Sequence, residues 1–448
     1  MKNKIILEKI FRNFKNKNFY ISDGKQKFHG PKINLLIKEK LKLIESFNLK
    51  GNSIAVLKNN CGSEYWINLL VALKLNFTIF PEIKKSNIYK YYKNIVYFNG
   101  KKIKVVKNKN IKKNNIINKF NLIFSSSGST GDPKLILQKI SFVCKNAQYV
   151  LKKIKFKKNK TFLMCIPYLF TSAICHFFAC MISGTNFISI EKIMLPSNIK
   201  ALLKRKKINY FGGPPLHSKW VIESTNNKLI NFEKMISSGD FLAEDTINEY
   251  LKRKLNFDFY YMYGLSEVGG RFCINLIKNN EYKFFVGRPL NYMKIIKNSS
   301  LKGEIKIKSN NLYLGYYQKN NFALQKSTIY NTGDVGILRN NYLKLEGRMS
   351  EIFKSSGVMI FPQLIKKKLL NTKWFDEILI YKGNVKSFGN VPFCAFVSKK
   401  KIYPNQINDY LKNKIPSSHL PKKYFQLAKF PRLGNNKIDK QYIINKYQ

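Results

Sequence analysis

Apolar residues along this chain fall into two alternating spacings, and the alternation predicts layered α/β structure before any motif is considered. Residues 53–57 form a short apolar run of strand character, residues 65–75 place Trp66, Leu69, Leu70 and Leu73 at helical intervals, and residues 77–81 are extended again. Strand, helix, strand implies a parallel unit. A second unit follows, with a helix over 195–206 and a strand at 210–211 that ends on Gly212-Gly213-Pro214-Pro215, and the ends of such strands carry ligands. After Tyr292 the runs shorten (303–307, 312–317, 335–338, 342–345), which predicts a small antiparallel β subdomain closed by Gly347-Arg348. Beyond it a helix near 362–370 and strands near 378–381 and 393–397 predict a separate α+β unit.

Residues 162–190 contain no Asp, Glu, Lys or Arg, enough by count to cross a bilayer. Pro167, Ser172, His176, Ser183 and Gly184 punctuate the run, so the expected structure is a buried strand over 162–166 that yields at Pro167 to a buried helix ending near Gly184. No membrane insertion is expected.

At 448 residues the chain suits a large domain plus a smaller one. Its seven cysteines make no CxxC pair, and the charged N-terminal stretch lacks a secretory apolar core, so the expected compartment is the cytoplasm and no structural disulfide is expected. The formal charge of +56 raises the question of nucleic acid. Lysine supplies nearly all of the excess, whereas base and phosphate readout leans on arginine. Lysine, asparagine and isoleucine, all abundant here, share A/T-rich codons. The hypothesis is therefore a solvated surface drifted toward lysine by a biased genome, with no specific nucleic-acid partner. A salt-sensitive gel shift on duplex or transfer RNA would overturn it.

The chemistry concentrates in residues 122–134, where the apolar run Leu122-Ile123-Phe124 empties into Ser125, Ser126, Ser127, Gly128, Ser129, Thr130 and Gly131 and closes on Asp132-Pro133-Lys134. Glycines let successive N–H groups point one way, hydroxyls add short donors and Lys134 adds a cation, a composition suited to a polyphosphate. It is not a Walker loop, because Asp-Pro precedes the lysine and no Ser or Thr follows it. Three further blocks follow in order: Tyr263-Gly264-Leu265-Ser266-Glu267, Thr332-Gly333-Asp334 with Gly347-Arg348 beyond, and residues 431–440, Pro-Arg-Leu-Gly-Asn-Asn-Lys-Ile-Asp-Lys.

Together these blocks resemble the signatures of the adenylate-forming (AMP-binding) superfamily of acyl- and aryl-CoA ligases, luciferases and adenylation domains. The likeness covers most of the chain. It implies an α/β fold with a large N-terminal domain of packed mixed sheets (1–348, β subdomain about 292–348) and a mobile C-terminal lid (349–448, hinge near Ser350). It also implies an ATP-dependent acid–thiol ligase that uses ATP, Mg²⁺ and coenzyme A. A stand-alone enzyme loading a carrier protein, and a non-catalytic or nucleic-acid-binding relative, are the alternatives. By the same resemblance Ser126, Ser127, Gly128, Ser129, Thr130, Gly131 and Lys134 hold the β- and γ-phosphates, Glu267 binds the metal and Ser266 meets the α-phosphate. Tyr263 faces adenine, Gly264 leaves room for the acyl group, and Asp334 with Arg348 holds the ribose. Lys437 bridges the α-phosphate and the substrate carboxylate in the first half-reaction; Lys437, Ser266, Glu267 and Thr130 are thus the expected catalytic set. Lys354 and Gly357 match the stretch along which the pantetheine arm passes.

Departures from the family pattern are Leu135 after the loop lysine, Ser350 at the hinge, Phe353 for isoleucine, and Asn436 before Lys437. By position the acyl pocket involves Phe170, Thr171, Gly212, Gly213, Ser238 and Gly239, a small and apolar lining. No arginine or lysine there obviously pairs with a second carboxylate, although Lys219 and Arg271 are near in sequence, so an uncharged aliphatic or aromatic acid is expected. His176, Cys175 and Cys180 are expected as buried structural residues rather than metal ligands.

Overall fold

In the computed structural model, residues 8–58, 61–82, 85–125, 134–190, 196–205, 207–225, 231–296, 302–372, 374–432 and 438–447 are described. Two large mixed sheets dominate. The first has nine strands, and its centre is the parallel run Asn186–Ser189, Thr161–Met164, Tyr210–Gly213, Lys234–Ser238 and Asp258–Tyr263. The second has eight strands and carries Ser53–Leu57, Thr78–Pro81, Leu122–Ser125 and Leu135–Gln138 as consecutive or near neighbours. Parallel strands need crossover helices that cover their faces. Two such helices, Ser63–Lys74 and Thr171–Ser183, are buried almost throughout. They meet where the Trp66 and Phe177 rings stack 4.5 Å apart, and Trp66 Nε1 donates to Ser189 Oγ at 2.7 Å, tying one sheet's helix to the other sheet's strand.

The charge-free run resolves as expected in kind: strand Thr161–Met164, a turn at Pro167, helix Thr171–Ser183 and a left-handed cap at Gly184 with φ +72°. Among the described residues no helix is long and apolar enough to cross a membrane. His176 and Cys175 are fully buried on that helix.

A four-stranded antiparallel sheet joins Lys294–Ile296, Lys302–Lys308, Ile329–Arg339 and Tyr342–Arg348. The run at 312–317, expected within it, goes elsewhere. Its strand forms as Gly315–Gln318 and pairs antiparallel with Leu135–Gln138, so it extends the eight-stranded sheet. The reason is burial: Tyr317 is 4% exposed and packs against Leu135 and Leu137 in a core separate from the antiparallel sheet. After Arg348 the chain builds a two-stranded sheet (Phe353–Ser355, Val358–Ile360) and a three-stranded one (Glu377–Val385, Gly389–Val397, Lys423–Leu427). These, with helices Pro362–Leu370, Pro404–Leu411 and Lys440–Tyr447, enclose two cores made only of residues beyond Arg348.

Candidate active site

Three neighbouring parallel strands, Tyr210–Gly213, Lys234–Ser238 and Asp258–Tyr263, pair with Gly213 opposite Ser237 and Ser238 opposite Met262, so they end at one level. Ligands gather beyond the carboxyl ends of such strands. There the chain delivers Pro214, Gly239 and Gly264 to a cleft of ≈ 2310 Å³. The same cleft receives Ser125 and Lys134, Phe170 and Thr171, Ser238, Tyr263, Ser266 and Glu267, and from the antiparallel sheet Asp334 and Arg348. Residues far apart in sequence thus share one wall.

One corner is organised around Asp334. Its carboxylate is 9% exposed; Oδ1 accepts from Arg348 Nε at 2.8 Å, and Oδ2 accepts from the Tyr263 hydroxyl. Asp334 and Arg348 are cross-strand partners of a hairpin, which is why a pair fourteen positions apart meets squarely. Burial, reinforced by the Asp334 charge, raises the Tyr263 phenol well above its ordinary value, so it stays a donor. Two oxygens with lone pairs to spare, fixed by an arginine and a phenol, suit a pair of vicinal hydroxyls.

The second corner is organised around Glu267. Tyr316 donates its hydroxyl to Glu267 Oε1 at 3.0 Å, the Tyr313 amide donates to the Glu267 carbonyl at 2.6 Å, and the Tyr316 and Tyr330 hydroxyls lie 3.5 Å apart. Burial and the Glu267 charge push both phenols upward, so they too remain protonated. Among the described residues no lysine or arginine forms an ion pair with Glu267. A carboxylate without a cation, facing a cleft, fits Mg²⁺, which is held by one or two carboxylates plus phosphate oxygens. Lys134 stands nearby, its Nζ 5.5 Å from the centre of the Tyr316 ring. Between the corners, Thr171 Oγ1 donates to Ser266 Oγ at 2.7 Å, and Gln138 Nε2 donates to the Ser266 carbonyl at 3.2 Å.

Ser126, Ser127, Gly128, Ser129, Thr130, Gly131 and Lys437 lie outside the described residues. The flanks of both loops are on the cleft: Ser125 and Lys134 for the first, Arg432, Ile438, Asp439 and Lys440 for the second. Gly212 and Gly213 do not line it. Their missing side chains serve packing instead, since a Cβ would come within 2.5 Å of the Phe162 ring at Gly212 and 2.9 Å of the Phe211 ring at Gly213. Gly357 is also off the cleft, in the turn between Phe353–Ser355 and Val358–Ile360 at φ +83°. At Gly264 the structure supplies a different reason from the one expected: a Cβ would stand 1.8 Å from the Gly270 carbonyl oxygen, a backbone clash rather than an obstruction of the acyl group. Gly264→Ala should therefore destabilise the protein by ~2 kcal/mol or more, read as a shifted denaturant midpoint.

The sequence reading gave no role to Tyr316, Tyr330 or His217, and noted Arg271 only as near the acyl pocket in sequence. Arg271 lines the cleft at 2% exposure, with its backbone pinned by Asn146 (N–H to Oδ1 3.0 Å, carbonyl from Nδ2 2.6 Å). Its Nη2 donates to His176 Nε2 at 2.7 Å, while burial lowers the guanidinium to about 10. Burial, with the Arg271 charge behind it, holds His176 well below the ordinary imidazole range, hence neutral and accepting. His217 stacks on Trp220 at 5.4 Å and is lowered to about 4 by burial. The sequence signal for Arg271 was only its place just past Glu267, in an apolar context where lysine is otherwise the common cation.

The chain resembles known proteins in keeping with this geometry. The family model for "AMP-binding enzyme" matches residues 82–317, more than half of the chain. The 2-succinylbenzoate–CoA ligase of Staphylococcus epidermidis is 22% identical over 339 residues, 72% of this chain and 70% of that one. The D-alanine–D-alanyl carrier protein ligase of Staphylococcus haemolyticus is 24% identical over 341 residues, covering 71% and 69%. Among solved structures, the O-succinylbenzoate coenzyme A synthetase of Bacillus subtilis in complex with AMP superposes with a TM-score of 0.80 at 17% identity, over 98% of each chain. The cleft that gathers Lys134, Glu267 and Asp334, and the family model that spans the sequence blocks of the first two, lead to one assignment: the chain belongs to the AMP-binding enzyme family.

Proposed function

We propose that the protein is an ATP-dependent carboxylic acid–thiol ligase. It joins an acid to AMP with loss of pyrophosphate, then transfers the acyl group to the thiol of coenzyme A with loss of AMP. The observation that carries this reading is the single cleft on which a carboxylate with no ion pair among the described residues (Glu267), a fixed aspartate (Asp334) and the two flanks of a Ser/Gly/Lys stretch meet.

In this reading Asp334 accepts from the ribose hydroxyls while Arg348 and Tyr263 hold it in place. Lys134 and the loop before it grip the β- and γ-phosphates, and Ser266, set by Thr171, stands at the α-phosphate. Mg²⁺ held at Glu267 would offset the phosphate charge. The acid's carboxylate oxygen attacks the α-phosphorus, the bond to the β-phosphate breaks, and Lys437 stabilises the charge that builds between them. The thiol sulfur then attacks the acyl carbon and AMP leaves.

We place the boundary between large domain and lid at Arg348, with the hinge near Ser350. Supporting this, the two cores beyond Arg348 are built from Phe353 onward, and a link of Met349–Glu351 joins them to the rest. Ile438, Asp439 and Lys440 face the cleft, Lys440 pairs with Glu351, and the Gly357 turn lies away, an arrangement that serves the first half-reaction. The second requires the lid to turn and bring Gly357 in. The protein acts in the cytoplasm, where both ATP and coenzyme A are at hand.

The test is pyrophosphate release from ATP with a panel of carboxylic acids, followed by thioester formation offered coenzyme A or a phosphopantetheinylated carrier protein at equal concentration. Acid-dependent pyrophosphate and a coenzyme A thioester are expected. No acid-dependent release would end the ligase reading, and a thioester on the carrier alone would move the acceptor.

A further inference from the structure

Among the arginines of the cleft, Arg253 pairs with Glu249, Arg348 with Asp334 and Arg432 with Glu377. Arg271 differs. It is the most deeply buried of them, and among the described residues it has no carboxylate within ion-pair distance. Its Nη2 rests on a neutral histidine, which can orient a guanidinium but cannot balance its charge, and its buried Nε has no hydrogen-bond partner among the described residues. A charge taken out of water without a counterion is costly, and a planar fork with unused donors is matched by a carboxylate.

The position of this fork along the pocket is informative. Thr171, at the start of helix Thr171–Ser183, touches Ser266 beside the reacting phosphate, whereas His176 lies five residues further along the same helix. At 1.5 Å per residue the two are separated by about 7.5 Å along the helix axis. Cys165, Ile166, Phe170 and Met262, which also line the cleft, offer no competing charge.

We infer that Arg271 binds a second carboxylate at the far end of the acyl substrate, so that the acid this enzyme activates is a dicarboxylate. The inference rests on the ligase reading above and reverses the expectation of an uncharged acid. The sequence alone could not raise this alternative, because nothing in it shows that Arg271 is buried without an acidic partner. One carboxylate reacts beside Ser266; the other takes the unused donors of Arg271 while His176 holds the fork from behind. Acids ending in a methyl or ester group leave the guanidinium desolvated and unpaired in the complex, the situation that gives polar sites their strong discrimination.

Pyrophosphate release by the intact enzyme should be compared for succinate, glutarate, adipate and phthalate, each beside its monomethyl ester. The expected result is a kcat/KM for at least one free diacid on the order of 100-fold above that of its ester. Arg271→Met should erase that ratio, and Arg271→Lys should keep part of it, because an ammonium supplies charge without the fork. If the variants fail to fold, the wild-type comparison stands alone. Esters or simple monocarboxylates activated as well as or better than the diacids would overturn the inference and leave the ligase reading intact. Release with no acid of either class would remove the ligase reading and this inference with it.

Discussion

Replacing Lys437 by alanine should lower acyl-adenylate formation by on the order of 10²–10³-fold while thiolysis of preformed acyl-adenylate continues at close to the wild-type rate. The asymmetry follows from geometry. Arg432 and Ile438 form an antiparallel bridge, and the Asp439 amide donates to the Pro431 carbonyl at 2.8 Å, so the described residues on either side of Lys437 are held together on the cleft. Arg432 is anchored to Glu377 at 2.6 Å and Lys440 to Glu351, which fixes both flanks. A lysine carried between these flanks is expected to act only while they face the cleft, in the step in which negative charge builds at the α-phosphate. Rapid-quench measurement of the two half-reactions separates the cases. Equal loss in both would contradict this division of labour.

Glu267→Gln should cost a comparable amount through a different route. The amide keeps the shape of the side chain and its contact with the Tyr316 hydroxyl, but gives up the charge. Loss of a metal ion's charge stabilisation is worth about 3 kcal/mol, roughly 100-fold in rate. The expected signature is a raised requirement for Mg²⁺, visible as a shifted magnesium titration of pyrophosphate release. Chelation should abolish wild-type activity and added Mg²⁺ should restore it. Tyr316→Phe is the control, since it removes one hydrogen bond to Glu267 and leaves the carboxylate in place. An unshifted titration in Glu267→Gln would move the metal site elsewhere.

Much of the fold was legible because local pattern and tertiary context agree. The run 53–57 is a strand in full, and the helix ending at Gly184 stops there because glycine accepts the left-handed cap. Among the described residues, Lys134, Tyr263, Ser266, Glu267, Asp334 and Arg348, picked out block by block in the sequence, all line the cleft. What stayed hidden depends on partners distant in the chain. The strand at Gly315–Gln318 looks like its antiparallel neighbours, yet Leu135–Gln138 claims it, and this brings Tyr316 to Glu267. Gly264 reads as a ligand-facing glycine until the Gly270 carbonyl is seen at its back. Arg271 reads in the sequence only as a basic residue near the acyl pocket; its burial, without an acidic partner among the described residues, appears only in the fold.

The central claim is that the acid is activated by direct bonding to the α-phosphate of ATP in this cleft. Turnover of an acid carrying isotopically heavy oxygen in its carboxylate, with mass analysis of the nucleotide released, tests it most directly. One heavy oxygen in the AMP is the result this account predicts. Unlabelled AMP, or release of ADP with the label in inorganic phosphate, would contradict it.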